Sequence, residues 1–100
     1  MSLDAIQTDI ERKMKAAHGL KARVKFDFGD DGLIFVDTTQ SPPVLSNEDA
    51  ESDVTLKLST DTMRGFLDGT QDPNIAFMMG RLKIRGSMGL AMKLSSILED

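Results

Sequence analysis

From Lys21 to Phe28 the chain alternates without a break, with Ala22, Val24, Phe26 and Phe28 on one side and Lys21, Arg23, Lys25 and Asp27 on the other. Successive side chains of a strand point to opposite faces, so this segment reads as a half-buried strand with one dry and one wet side. The rest of the chain must then supply partners along its edges and a cover for its dry face. Gly29-Asp30-Asp31-Gly32 is a turn with two residues that tolerate positive φ. Leu33 to Thr38 follows as a second strand, which predicts a hairpin. Pro42-Pro43 admits only a short edge strand, Val44 to Ser46. Asn47 to Asp53 carries four acids and no large apolar side chain, as a solvated loop does, and Val54, Leu56 and Leu58 alternate again as a fourth strand.

Helical spacing frames this region. Leu3, Ile6, Ile10, Met14 and Ala17 form one stripe of a helix over 3–17, with Ser2 or Asp4 as its cap and Gly19 near its end. Ser59 or Thr60 can cap a helix whose Met63, Phe66 and Leu67 share a face and which Gly69 ends. Asp72-Pro73 predicts another start, since a proline at the first helical position loses no hydrogen bond. That helix is short, Asn74 to Met79, and stops at Gly80. A strand from Arg81 to Arg85, with Leu82 and Ile84 inward, precedes a last helix, Met88 to Leu98. The order predicts an α+β fold: one mostly antiparallel sheet with helices on its apolar face. The wet sheet face is expected to carry Lys21, Arg23, Lys25, Lys57, Arg81, Lys83 and Arg85.

With 100 residues, a single domain over 1–100 is expected. The absence of cysteine excludes disulfides, thiolate catalysis and cysteine zinc sites. A net charge of −4 speaks against nucleic acid as the main partner. No apolar run approaches the ~18 residues of a membrane span, and the N-terminus lacks the plan of a signal peptide. A cytoplasmic location is expected.

Catalytic chemistry finds little support. His18, the single histidine, stands at a helix end, where its cationic form suits the helix dipole. Ser87, Ser95 and Ser96 lie outside any nucleophile elbow. The acids of 47–53 lack the glycine and spacing of a calcium loop, and they read as a soluble surface. No phosphate-cradling glycine motif occurs. Neither enzyme activity nor a cofactor or metal is expected.

The apolar residues are more informative. Five of seven methionines (Met63, Met78, Met79, Met88, Met92) fall in the second half, and methionine suits surfaces that adapt to varied ligands. In the last helix Met88, Leu90, Ala91, Met92, Leu94, Ile97 and Leu98 cover most of the circumference, leaving Gly89, Lys93 and Ser96 as a polar edge. A surface helix needs one apolar stripe. The surplus fits three readings: plain core filling, a homodimer interface, or a lipid pocket.

Phe66-Leu67-Asp68-Gly69, Asp72-Pro73, the run Ala76 to Ser87 (AFMMGRLKIRGS) and Leu90-Ala91-Met92-Lys93-Leu94 together resemble the C-terminal half of the sterol carrier protein 2 family. The most specific part is the Gly80 to Gly86 run followed by Leu90 to Leu94. Length and element order extend the likeness over the rest by pattern. The resemblance implies a twisted five-stranded sheet backed by helices that enclose a hydrophobic tunnel. It also implies non-catalytic binding and transfer of fatty acids, acyl-CoA, phospholipids or sterols. Ser87 departs from the acid or amide frequent in the family, though serine also caps helices. Leu98-Glu99-Asp100 is not the peroxisomal tripeptide of some members.

On this reading the tunnel is expected to be lined by Met63, Phe66, Phe77, Met78, Leu82, Ile84, Met88, Leu90, Leu94 and Ile97. The last helix is the expected lid, so truncation after Lys93 is expected to cost lipid binding more than folding. A monomer with a lipid or acyl ligand is expected, a homodimer being the alternative. The basic strand face is a candidate for transient docking on anionic membranes.

Overall fold

The structure is a computed structural model that describes residues 3–16, 20–40 and 42–99. The expectations placed on Ser2, Ala17, His18 and Gly19 lie outside the described residues. Helix α1, Leu3–Ala16, buries Ile6, Ile10 and Met14, the stripe marked by its periodicity. Strands β1, Arg23–Asp27, and β2, Leu33–Asp37, form the expected hairpin, with a single 3-10 turn at Gly29–Asp31 between them. Gly29 and Gly32 take positive φ, as the turn requires. Strand β3, Val44–Ser46, is an edge strand, as Pro42-Pro43 foretold. Strand β4 is Val54–Lys57.

Helix α2, Thr60–Asp68, starts at Ser59, whose hydroxyl accepts from the Thr62 N–H, and ends at Gly69 in the left-handed region. Helix α3, Pro73–Met78, starts at Asp72, whose carboxylate accepts from the Asn74 N–H at 2.8 Å. It stops one residue before the expected end, because Met79 already leaves the helical register ahead of Gly80. Strand β5 is Lys83–Gly86, shifted by two residues from the expected start. Arg81 and Leu82 instead donate their N–H groups to the Ala76 carbonyl, which ties the α3–β5 link to the helix. Helix α4, Met88–Glu99, closes the chain.

The five strands run in the order β3-β2-β1-β4-β5. All pairings are antiparallel except β1 with β4, which is parallel. A parallel neighbour demands a crossover, and residues 47–53 provide part of it. The register sorts the side chains. Val24, Phe26, Ile34, Val36, Val54 and Leu56 are buried on one face, joined into one core with the inner stripes of α1, α2 and α4.

The other face carries Arg23, Lys25, Lys57, Lys83 and Arg85, while Lys21 and Arg81 lie just outside strands. Two of the four acids of 47–53, Asp49 and Asp53, turn out to be structural there. Asp49 Oδ1 accepts from Lys25 Nζ at 2.6 Å, and Asp53 Oδ2 accepts from the Arg23 N–H at 2.9 Å. The crossover is therefore strapped over the polar face. Phe35 belongs to this face by register, opposite Lys25, yet it is buried.

Candidate functional site

Helix α4 packs against α1, α2, α3, β4 and β5, so it is the element that closes the apolar side of the sheet. Ala91, Leu94 and Leu98 form its inner stripe and are buried. Leu90 and Ile97 flank that stripe, partly buried against the core. The apolar surplus is left in water: Met92 is 70% exposed and Met88 49%. Ser87 Oγ accepts from the Leu90 N–H at 3.3 Å, which caps the helix as serine was expected to do.

The ten expected lining residues fall into three groups. Met63, Phe66, Leu82 and Leu94 are buried together in the core. Ile84, Leu90 and Ile97 pack against it from the rim. Phe77, Met78 and Met88 stand exposed on the outer side of α3 and the first turn of α4, with Met78 83% exposed. The first seven thus share one body of packed side chains, while the last three border it from outside. Truncation after Lys93 would delete Leu94 and Leu98, both core residues, so it would cost folding as well as any binding.

Two positions are not legible in the sequence, Gly86 and Asp53. Gly86 has φ +99° and lies against Asp53; a Cβ there would sit 2.4 Å from the Asp53 carbonyl oxygen. Asp53 itself gathers three connections. Its N–H donates to the Arg23 carbonyl, its carboxylate takes the Arg23 N–H, and its carbonyl accepts from the Ser87 N–H at 3.2 Å. The start of α4 is thereby pinned to the crossover and to β1. Ala91 and Leu98 were visible in the sequence, since 91, 94 and 98 follow a helical stride with Leu94.

Surface grooves flank this core. One of about 370 Å³ is lined by Phe66, Gly69, Thr70, Gln71, Asp72 and Ile75. Another, of about 200 Å³, shares Thr70, Gln71, Asp72 and Ile75 and runs on to Ala76, Met79 and Arg81. Phe66 therefore borders both the core and an opening to solvent. A third recess, about 290 Å³, lies between α1 and α2 and is lined partly by charge: Asp9, Arg12, Arg64 and Asp68. Arg12 pairs with Asp9 at 3.1 Å. The Thr70 hydroxyl and N–H, with help from the Arg64 charge, hold the Asp68 carboxyl below its ordinary range. A lining with carboxylates and guanidinium groups suits water and salt rather than an acyl chain.

Among the described residues no cluster of three or more His, Asp or Glu side chains could hold a metal ion. No helix among them is long and apolar enough to cross a membrane.

Comparison with known proteins bears on what this arrangement is for. The sequence model described as the SCP-2 sterol transfer family matches residues 3–99. Sterol carrier protein 2 from Bos taurus is 41% identical over 54 residues, which is 54% of this chain and 10% of that protein. Hydroxysteroid dehydrogenase-like protein 2 from Bos taurus is 40% identical over 50 residues, 50% of this chain and 12% of that protein. The match thus spans about a tenth of the length of these curated relatives. Sterol carrier protein 2 from Aedes aegypti, solved in complex with the C16 fatty acid palmitate, superposes with a TM-score of 0.79 at 18% identity. That superposition covers 98% of this chain and 96% of the other. At such identity the likeness is one of fold.

Proposed function

The chain belongs to the SCP-2 sterol transfer family, and we propose that it is a non-catalytic carrier that holds a lipid between the apolar sheet face and α4. The ligand class is fatty acid, acyl-CoA, phospholipid or a sterol-like molecule. Fatty acid is the first to test, since the Aedes aegypti relative of this fold was solved with palmitate.

One observation carries the reading: α4 is apolar on more sides than its packing uses. Leu94 is fully buried, while Met88 and Met92 remain in water. A helix with apolar side chains all round is satisfied when a second apolar body joins it, and an acyl chain is such a body. In this account α4 swings about Gly86 and Ser87, where its start is pinned to Asp53. The acyl chain then takes the space beside Met63, Phe66, Leu82, Ile84, Leu90, Leu94 and Ile97. Phe77, Met78 and Met88 close over it from the rim. The groove lined by Phe66 is one place where a core residue borders an opening to solvent.

The magnitudes suit a carrier. Burying an acyl chain at ~0.8 kcal/mol per methylene contributes on the order of 10 kcal/mol. Immobilising the chain and opening the helix take back several kcal/mol. An affinity near micromolar, about −8 kcal/mol, results. Such a ligand is bound and still released.

Native mass spectrometry of the purified protein, followed by organic extraction, tests this. A lipid held at near-stoichiometric amounts is the expected result, together with uptake of added palmitate by the delipidated protein. A bare monomer that takes up none of the four ligand classes overturns the proposal. A bare dimer overturns it too and assigns the methionine surface to a subunit interface.

A further inference from the structure

The sheet ends at β5, and one side of that strand has no neighbouring strand. The hydrogen bonds fix which of its backbone groups are left over. The Leu58 N–H donates to the Asp27 carbonyl of β1 at 3.1 Å. Along a strand, alternate residues turn their backbone groups to opposite edges. Thr55 and Lys57 therefore direct theirs to β5, where Arg85 and Lys83 are their register partners. Ile84, between those two, turns its N–H and carbonyl to the open edge. No loop, cap or side chain among the described residues takes either group.

The side chains along this edge are cationic. Lys57, Lys83 and Arg85 share the polar face of the sheet, and all three are exposed. Lys57 and Lys83 stand directly opposite one another, an arrangement that destabilises a sheet when nothing neutralises it. None of the three is in an ion pair among the described residues. Asp27, beside Lys57 on β1, has its carboxylate engaged by the Gly29 N–H at 2.9 Å. Ile84 points to the other face and is half-buried against the core. The opposite edge of the sheet, β3, reads Val-Leu-Ser and carries no charge. A chain of net charge −4 has thus set uncompensated cations along one free edge.

We propose that β5 is a docking edge for an extended acidic segment of a partner protein, which joins the sheet as a further strand. An open backbone edge is a template that an extended polypeptide can pair with. The partner residue opposite Ile84 exchanges backbone hydrogen bonds with it and is apolar, since it shares the face of Ile84. Its two neighbours point to the polar face and are acidic, where they meet Lys83 and Arg85 with Lys57 behind. The segment therefore alternates acid and apolar residues. Cations on an edge strand are an ordinary guard against unwanted pairing. They repel a second copy of β5, but they attract an acidic strand. Gly86, at φ +99°, ends the extended run of a strand only four residues long. Few backbone bonds then hold the added strand, so its recognition depends on charge.

The test uses the full chain, free of lipid, and an eight-residue capped peptide in which glutamate and valine alternate. Fluorescence anisotropy is expected to show binding at low salt that is lost at high salt. The matching lysine–valine peptide is expected not to bind. Lys83→Ser with Arg85→Ser should weaken binding about two- to fivefold for each cation removed. Ile84→Pro removes an N–H that the ladder to β4 does not use, and it should weaken binding roughly two- to tenfold. Hydrogen exchange on the wild-type protein reads the same contact whether or not that variant folds. The peptide should slow exchange of the Ile84 amide and leave the amides of β3 unchanged. No binding of the glutamate–valine peptide, equal binding of the lysine–valine peptide, or an unprotected Ile84 amide in the complex would each overturn the proposal. The carrier reading is independent of all these outcomes, since no lipid is present.

Discussion

Gly86→Ala should remove about 2–6 kcal/mol of folding stability, a large share of the ~5–15 kcal/mol of an ordinary domain. Two costs combine. At φ +99° an L side chain is strained, by about 1–3 kcal/mol. The new Cβ would also stand 2.4 Å from the Asp53 carbonyl oxygen and 3.0 Å from the Val54 Cα. Both are backbone atoms, so no side-chain rotation relieves the clash, and overpacking adds about 1–3 kcal/mol. Relief must come from parting β5 from β4 at Val54, its register partner, and from loosening the Ser87 link that starts α4. Gly89→Ala, three residues on, should do the reverse. That glycine is helical, and its nearest neighbour in the way of a Cβ is Ser87 Oγ at 3.8 Å. Alanine there should stabilise by about 0.5–1 kcal/mol. Urea unfolding of the two variants checks both values. Similar midpoints for the two would mean that the backbone contact at Gly86 is not what holds α4.

Leu94→Ala carries the second large effect, and it bears on function. Leu94 is fully buried, so its truncation should cost the ligand-free protein about 2–5 kcal/mol. The carrier account adds that part of this loss falls on the closed position of α4. A ligand that must lift α4 has its affinity reduced by the fraction of molecules that are open. Weakening the closed state lifts that penalty, and palmitate itself can fill the space that the leucine leaves. Saturating palmitate should therefore raise the melting temperature of Leu94→Ala by more than that of the wild-type protein. An equal rise in both proteins would mean that the acyl chain binds elsewhere, without displacing α4.

The sequence was most legible where one periodicity ran unopposed. The alternation of Lys21 to Phe28 and the Asp72-Pro73 start could be read directly, because each rests on a local rule that tertiary packing did not override. The shifted start of β5 was not legible. Arg81 and Leu82 continue the alternation of the strand, but their N–H groups are taken by the Ala76 carbonyl. The parallel pairing of β1 with β4 was hidden for a similar reason, since strand order is set by the crossover and not by the strands. Acids in 47–53 looked like mere solvation because Lys25 and the Arg23 N–H, their partners, are distant in sequence. Gly86 shows the same limit, since its demand for glycine comes from Asp53, which the chain brings up from another element. As for the candidate site, composition displayed the methionine surplus but not its division. Met63 belongs to the core, whereas Met78 and Met92 face water, and that split depends on which face of each helix the sheet covers.

The central claim is that an acyl chain sits inside, between α4 and the sheet. The seven methionines make it directly measurable. With their methyl groups carbon-13 labelled, intermolecular NOEs from bound palmitate report which ones the chain touches. The account predicts NOEs to the buried Met63 methyl, accompanied by shifts at Met88 and Met92 as α4 moves. NOEs confined to Met78, Met79 and Met92, with Met63 unchanged, would place the lipid on the outer surface and contradict the carrier account.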